Sequence, residues 1–200
     1  MSTLYPTPQF IHHGAVDGVT GSCHEYRLSD DYGLLIDCGL FQGAEVSRSG
    51  SAGAPQIPFA IAHIRALIVT HVHIDHVGRI PYLIAAGYKG PIYCTVASAT
   101  LLPLVLEDAL KMGVTRDEKL INSFLAAIRR QLIPCEFKQW QALPELTAAS
   151  PEVRFQPAGH ILGSAYVELR HNTAVKQGYK TVFSGDLGAP YAPLLPVPKP

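Results

Sequence analysis

Charged residues are scarce in this sequence. Asp, Glu, Lys and Arg make up 16% of its 200 residues, and 16 bases balance 16 acids to a formal net charge of zero. No basic run or stripe breaks that balance, so charge alone carries no nucleic-acid signature. Cysteine is also sparse: Cys23, Cys38, Cys94 and Cys135 are widely spaced and form no Cys-x-x-Cys pair. That spacing excludes a zinc ribbon and argues against a disulfide framework, and in apolar surroundings it reads as four small buried residues. No uninterrupted apolar run approaches the length of a membrane-spanning helix. Met1 to Gln9 is polar and proline-broken, without the apolar segment of a secretory signal. The expectation is a protein of the reduced cytoplasm with no membrane partner. What remains is a chain 48% hydrophobic, with no internal repeat, long enough to bury one core.

Hydrophobic patterning orders that core. Phe10 to Ala15, Ser22 to Leu28 and Gly33 to Asp37 read as short strands punctuated by Gly18, Gly21 and Asp30-Asp31. Gly43 to Pro58, rich in Gly, Ser, Ala and Pro, reads as a mobile loop. Ala66 to Thr70 reads as a buried strand, Ile80 to Ala86 as a helix with Pro81 in its first turn, and Pro91 to Thr95 as a strand. Two core-packing helices are predicted next. Ser98 to Met112 is closed by Gly113. The second opens at Thr115 with Glu118 three residues on, a capping-box pattern, and carries an apolar face of Leu120, Ile121, Phe124, Leu125 and Ile128. Late strands fall at Val153 to Gln156, Ala165 to Arg170 and Lys180 to Phe183. Strands with interspersed helices predict a layered α/β fold. Pro190, Pro193, Pro196, Pro198 and Pro200 crowd the last eleven residues, which excludes helix or central strand there. Residues 1–188 are expected to form one domain and 189–200 an exit segment or linker, as if the chain stopped part-way through a larger protein.

The densest chemistry lies in six residues, His71-Val-His73-Ile-Asp75-His76, between the Ala66–Thr70 strand and Gly78-Arg79. A strand end is rigid beneath and open above. His71 and His73 are two apart, so in extended backbone both rings project to one side and can share a metal. The chain must turn at Asp75, and His76 follows at once; these two can serve a second metal. Two ions roughly 3.5–4 Å apart form a hydrolytic clamp around a water ionised near neutral pH. Imidazole and carboxylate suit zinc first, with iron and manganese also open. Three more candidates sit just beyond apolar strands with glycine at hand: Asp37, His160 and Asp186. Singly, a strand-end Asp reads as a turn former and a lone His as a core or surface residue; co-occurrence with the histidine loop raises them. His12, His13, His24, His63 and His171 are expected in surface or core roles.

Five blocks carry a resemblance: Val19-Thr-Gly-Ser22, Asp37-Cys-Gly-Leu-Phe-Gln-Gly43, Thr70 to Arg79, Gly159-His-Ile-Leu-Gly-Ser-Ala165 and Phe183-Ser-Gly-Asp-Leu-Gly188. The chain resembles the metallo-β-lactamase superfamily, and within it the β-CASP branch of nucleic-acid-processing metallo-hydrolases. The resemblance implies an αββα sandwich, here incomplete, and two divalent metal ions. It implies that His71, His73 and His160 hold the first metal, that Asp75 and His76 hold the second, and that Asp186 bridges both. Asp37 is implied as a catalytic-site carboxylate that orients the histidine loop instead of binding metal. The implied activity is hydrolysis of RNA phosphodiester bonds by a metal-bridged hydroxide. The family pattern continues past Asp186 with an acidic residue, an inserted cap domain and late histidines that no position here supplies, so the chain alone is expected to lack part of the site. Two other readings stay open: a hydrolase of a small ester, thioester or phosphodiester, since fold and ligands do not set specificity, and a non-catalytic scaffold subunit, against which the filled ligand positions speak.

Overall fold

The computed structural model describes residues 3–43, 57–144, 149–191 and 193–198. Residues 44–56, most of the loop expected at Gly43 to Pro58, lie outside them. Strands β1 (Gln9–His12), β2 (His24–Ser29), β3 (Tyr32–Ile36), β4 (Ile64–Ile68), β5 (Ile92–Thr95) and β6 (Leu132–Cys135) form one sheet in that spatial order. It is antiparallel from β1 to β3 and parallel from β3 to β6. Strands β7 (Trp140–Ala142), β8 (Glu152–Pro157), β9 (Ala165–His171) and β10 (Tyr179–Phe183) form a second, antiparallel sheet ordered β10-β9-β8-β7. Helices α1 (Ile74–Val77), α2 (Ile80–Ala85), α3 (Val96–Gly113) and α4 (Glu118–Gln131) complete the described elements.

The pleat sorts the apolar runs of β3 and β4 into two cores. Leu34, Ile36, Ala66 and Ile68 face the second sheet, where Val153, Phe155, Val167 and Leu169 meet them. Leu35, Leu67 and Val69 face the helices, against Ile80, Leu83, Leu102 and Leu106. The larger sheet is therefore covered on both faces, which is why its central strands read as continuous hydrophobic runs. β8 and β9 instead alternate buried and half-buried residues. Their outward face is polar: Arg154 pairs with Glu168 and Arg170 with Glu152, and both guanidinium groups lie over Trp140 at 4.5 and 4.3 Å from the ring centre. No helix covers that face among the described residues, so they supply the α, β and β layers of an αββα sandwich. None of their helices is long and apolar enough to cross a membrane.

Local details differ from the expectations. The second long helix is capped by Asp117, not Thr115: the Asp117 carboxylate accepts from the amides of Lys119 and Leu120, whereas the Thr115 hydroxyl accepts only from the Asp117 amide. Leu120, expected on its apolar face, is exposed, while Ile121, Leu125 and Ile128 are buried. The first long helix begins at Val96, with Thr95 accepting from the Ser98 amide. Strands β6 and β7 had no sequence expectation; β6 carries Pro134, which the sheet tolerates because β6 is an edge.

Candidate metal centre

The loops that carry the chemistry leave the ends of β3, β4, β8 and β10 on one rim of the sandwich. They are stitched together through backbone. The Ser22 amide donates to the Asp75 carbonyl at 2.8 Å, Cys38 to His76 at 2.7 Å, and Leu40 to Ile74 at 3.0 Å. Contact is so close at Gly39 that a Cβ there would sit 1.5 Å from the Asp75 carbonyl oxygen. Gly185, at φ +50°, presses on Thr70 in the same way, with a built Cβ 2.9 Å from its side chain. Arg79, buried at the base, donates to the carbonyls of Gly39, Gly21 and His13 and lies over the Phe41 ring. In the sequence Arg79 is only a motif residue, because its side chain's carbonyl partners are 40 or more positions away.

Asp37 is buried and adopts φ +57°, a left-handed conformation that Asp tolerates better than most residues. Its carboxylate accepts from the Thr70 amide, the Thr70 hydroxyl and His76 Nδ1, each at 2.8 Å. These bonds settle two tautomers. His76 must carry its hydrogen on Nδ1, so its Nε2 lone pair is free and lies 3.4 Å from Asp186 Oδ1. The Thr70 hydroxyl, having given its proton to Asp37, accepts from His71 Nδ1 at 3.1 Å. His71 Nε2 is then also a lone pair, 3.7 Å from Asp186 Oδ2.

His71 Nε2 lies 3.1 Å from His73 Nδ1, which lies 3.1 Å from His160 Nε2. His160 Nε2 is 3.5 Å from Asp186 Oδ2. One ligand atom from each of His71, His73, His160 and Asp186 falls within 4.8 Å of all the others. The backbone of the His160 loop is fixed by Ser164, whose hydroxyl accepts from the amides of His160 and Ile161. Asp75 and His76 stand outside this four-residue set. His76 faces the other oxygen of Asp186, and the Asp75 charge acts on both His73 and His76. The carboxylate of Asp186 thus turns one oxygen to His71 and His160 and the other to His76.

Protonation follows the geometry. Burial, and then the charges of His76, His73 and His160, push the His71 imidazole down to about 2. Burial and His160 lower His73. For His76, burial opposes the charged form, but the bond to Asp37 and the charges of Asp37, Asp186 and Asp75 outweigh it and raise its pKa. Crowded imidazole nitrogens closed by a carboxylate are the donor set of a divalent transition metal. Three nitrogens and one carboxylate oxygen match the coordination number of zinc, so the residues present fit the ion.

The remaining histidines divide. His171 is buried between the sheets, donating from Nδ1 to the Asn172 carbonyl while Nε2 accepts from the Tyr26 hydroxyl. His13 and His63 flank the buried carboxylate of Glu25, which Arg27 also contacts. His12 and His24 line the cleft in front of Asp37, His76 and Asp186. The sequence predicts only surface or core roles for this last pair, because opposite positions on two strands are invisible until the register is known.

Comparison with known proteins agrees with this architecture. The family model described as Metallo-beta-lactamase superfamily matches residues 16–168. Ribonuclease TTHA0252 of Thermus thermophilus is 38% identical over 193 residues, covering 95% of this chain and 40% of the relative. Transcription termination factor FttA of Methanosarcina mazei is 32% identical over 76% of the chain and 23% of the relative. Cleavage and polyadenylation specificity factor subunit 3-II of Arabidopsis thaliana is 30% identical over 76% of the chain and 24% of the relative. The chain therefore spans well under half the length of these curated relatives.

Proposed function

Because the chain belongs to the metallo-β-lactamase superfamily, we propose that it carries the metal-binding part of a hydrolase that cleaves RNA phosphodiester bonds. The observation that carries the reading is the convergence of His71, His73, His160 and Asp186 within 4.8 Å. The RNA substrate is drawn from the relatives, named as a ribonuclease, a transcription termination factor and a cleavage and polyadenylation factor.

His71, His73, His160 and Asp186 would hold one divalent ion. His76, Asp75 and the other oxygen of Asp186 would hold a second. Zinc suits the set, with manganese and iron as alternatives. Ions bound there supply Lewis-acid stabilisation of the charge that builds on the phosphoryl oxygens. The protein's own work is positioning. Asp37 takes the Nδ1 hydrogen of His76 and aims its Nε2 at the cleft; Thr70 does the same for His71. Such outer carboxylate and hydroxyl partners fix imidazole tautomers and ligand orientation. Asp186, with 42% of its side chain exposed, leaves a solvent-facing side from which a phosphodiester can enter.

The test is elemental analysis joined to cleavage of single-stranded RNA, with and without chelator, in the protein and in His73→Ala. The expected result is metal-dependent cleavage, lost together with metal in the variant. Retained metal in His73→Ala would refute the ligand assignment. A metal-loaded protein that leaves RNA intact while hydrolysing a chromogenic phosphodiester would refute the substrate.

A further inference from the structure

The cleft before the metal centre has a second pair of histidines. Its volume is about 330 Å³, and its lining includes His76, Asp37 and Asp186 together with His12 and His24. His12 and His24 are directly opposed on β1 and β2. Their rings meet edge to face, and the two Nδ1 atoms lie 2.9 Å apart. Only one hydrogen fits between them. The ring that accepts it must carry its own hydrogen on Nε2, and no Nε2 contact ties up either ring among the described residues. When an anion draws one more proton onto the pair, both Nε2 atoms become donors and the unit gains a positive charge. Two such donors on a shared charge match two oxygens of a phosphate.

A metal site is the other chemistry a histidine pair can offer, and it is the weaker fit. Structural and catalytic zinc sites draw three or four protein ligands, and the described residues bring no third ligand atom to this pair. A structural role is also a weaker fit. His12 is exposed and His24 half-buried, and among the described residues the side-chain bond of each is to the other. Burial, then the His12 charge, lowers the His24 pKa.

We propose that His12 and His24 form an anion subsite that takes a phosphodiester of the RNA adjacent to the bond being cut. This rests on the nuclease reading of the metal centre, which it extends by fixing where the substrate backbone runs: from Asp186 across the cleft to the β1–β2 edge. The pair binds and orients; it takes no part in bond breaking.

The test is equilibrium binding of a fluorescent, cleavage-resistant phosphorothioate RNA hexanucleotide to the zinc-loaded protein at low temperature. His12→Ala/His24→Ala is expected to bind about tenfold more weakly, at unchanged thermal midpoint and unchanged zinc content. His12→Gln/His24→Gln, which keeps a donor near each Nε2, is expected to recover part of that loss. Neutral methylphosphonate is then placed at one linkage at a time. One position should weaken binding to the parent protein and have no effect on the Ala double variant. Equal affinity of parent and variants, or a methylphosphonate penalty that survives in the Ala variant, overturns the subsite. Loss of a zinc equivalent in the variant overturns it in favour of a metal site. If the hexanucleotide results hold and the metal-loaded protein cleaves no RNA, the nuclease reading fails and the anion subsite stands.

Discussion

Replacing Asp37 by Asn separates the orienting role of this carboxylate from its bulk. The amide matches the carboxylate in shape, and Asn tolerates the left-handed backbone at this position as well as Asp does, so the change adds no strain. It removes acceptor capacity. The carboxylate accepts three hydrogen bonds of 2.8 Å; the amide oxygen can keep the Thr70 backbone amide, but the NH2 group then faces the Thr70 hydroxyl and His76 Nδ1. Each must now accept. His76 accepts only by moving its hydrogen to Nε2, which blocks the atom facing Asp186. If the Thr70 hydroxyl accepts, its proton turns to His71 Nδ1, and His71 Nε2 is blocked instead. Charge-assisted bonds traded for neutral ones cost roughly 2 kcal/mol in this buried setting. For a domain of this size that is roughly 4–8 °C in thermal midpoint. Zinc affinity, measured by calorimetric titration of metal-free protein against a competing chelator, should fall about 10–100-fold. An Asp37→Asn protein that melts early yet binds zinc as tightly as the parent would refute the tautomer argument and leave Asp37 as a mechanical brace.

Three further outcomes follow from other contacts. Burial opposes ionisation of Glu25, but its bonds to His13, Arg27 and His63 outweigh that and hold its carboxyl at about 2. A folded-state pKa below the unfolded value means stability that is present above about pH 4.3 and lost as pH falls toward 2. Urea titrations should show Glu25→Gln less stable at pH 7 by about 3 kcal/mol, a gap that closes between about pH 5 and 2; a pH-independent gap would contradict it. Ser164→Ala removes the acceptor for the amides of His160 and Ile161 and should cost about 1–2 kcal/mol of stability with weaker zinc binding; unchanged zinc affinity would free His160 from that loop anchor. Phe155, fully buried between the sheets, should lose about 3–5 kcal/mol on truncation to Ala, whereas exposed Leu120→Ala should stay within about 0.5 kcal/mol; similar losses at both sites would contradict the two-layer packing.

Much of the fold was legible because its cues are local. The apolar runs of β3 and β4, the alternation of β8 and β9 and the glycines at loop starts are written within a few residues of one another. Strand β6 escaped because Pro134 argues against a strand unless the strand is known to be an edge. The cap at Asp117 escaped because Thr115 with Glu118 made an equally good local pattern. The metal-centre candidates were legible for a different reason: His71 and His73 share a face by strand period alone, and His160 and Asp186 stand beside glycines at strand ends.

The sequence by itself determined the chemistry available: which side chains can ligate a metal and which segments must be buried. Tertiary structure alone decided how those groups are used. Only the packing of β3 against β4 brings Asp37 to Thr70 and His76 and so sets two tautomers. Only the meeting of the two sheets turns the oxygens of Asp186 toward different histidines. Only the register of β1 on β2 pairs His12 with His24. In each case the partners are separated by between a dozen and more than a hundred residues. Hydrogen bonds act over about 3 Å, and chain separation carries no trace of that distance until the core has closed.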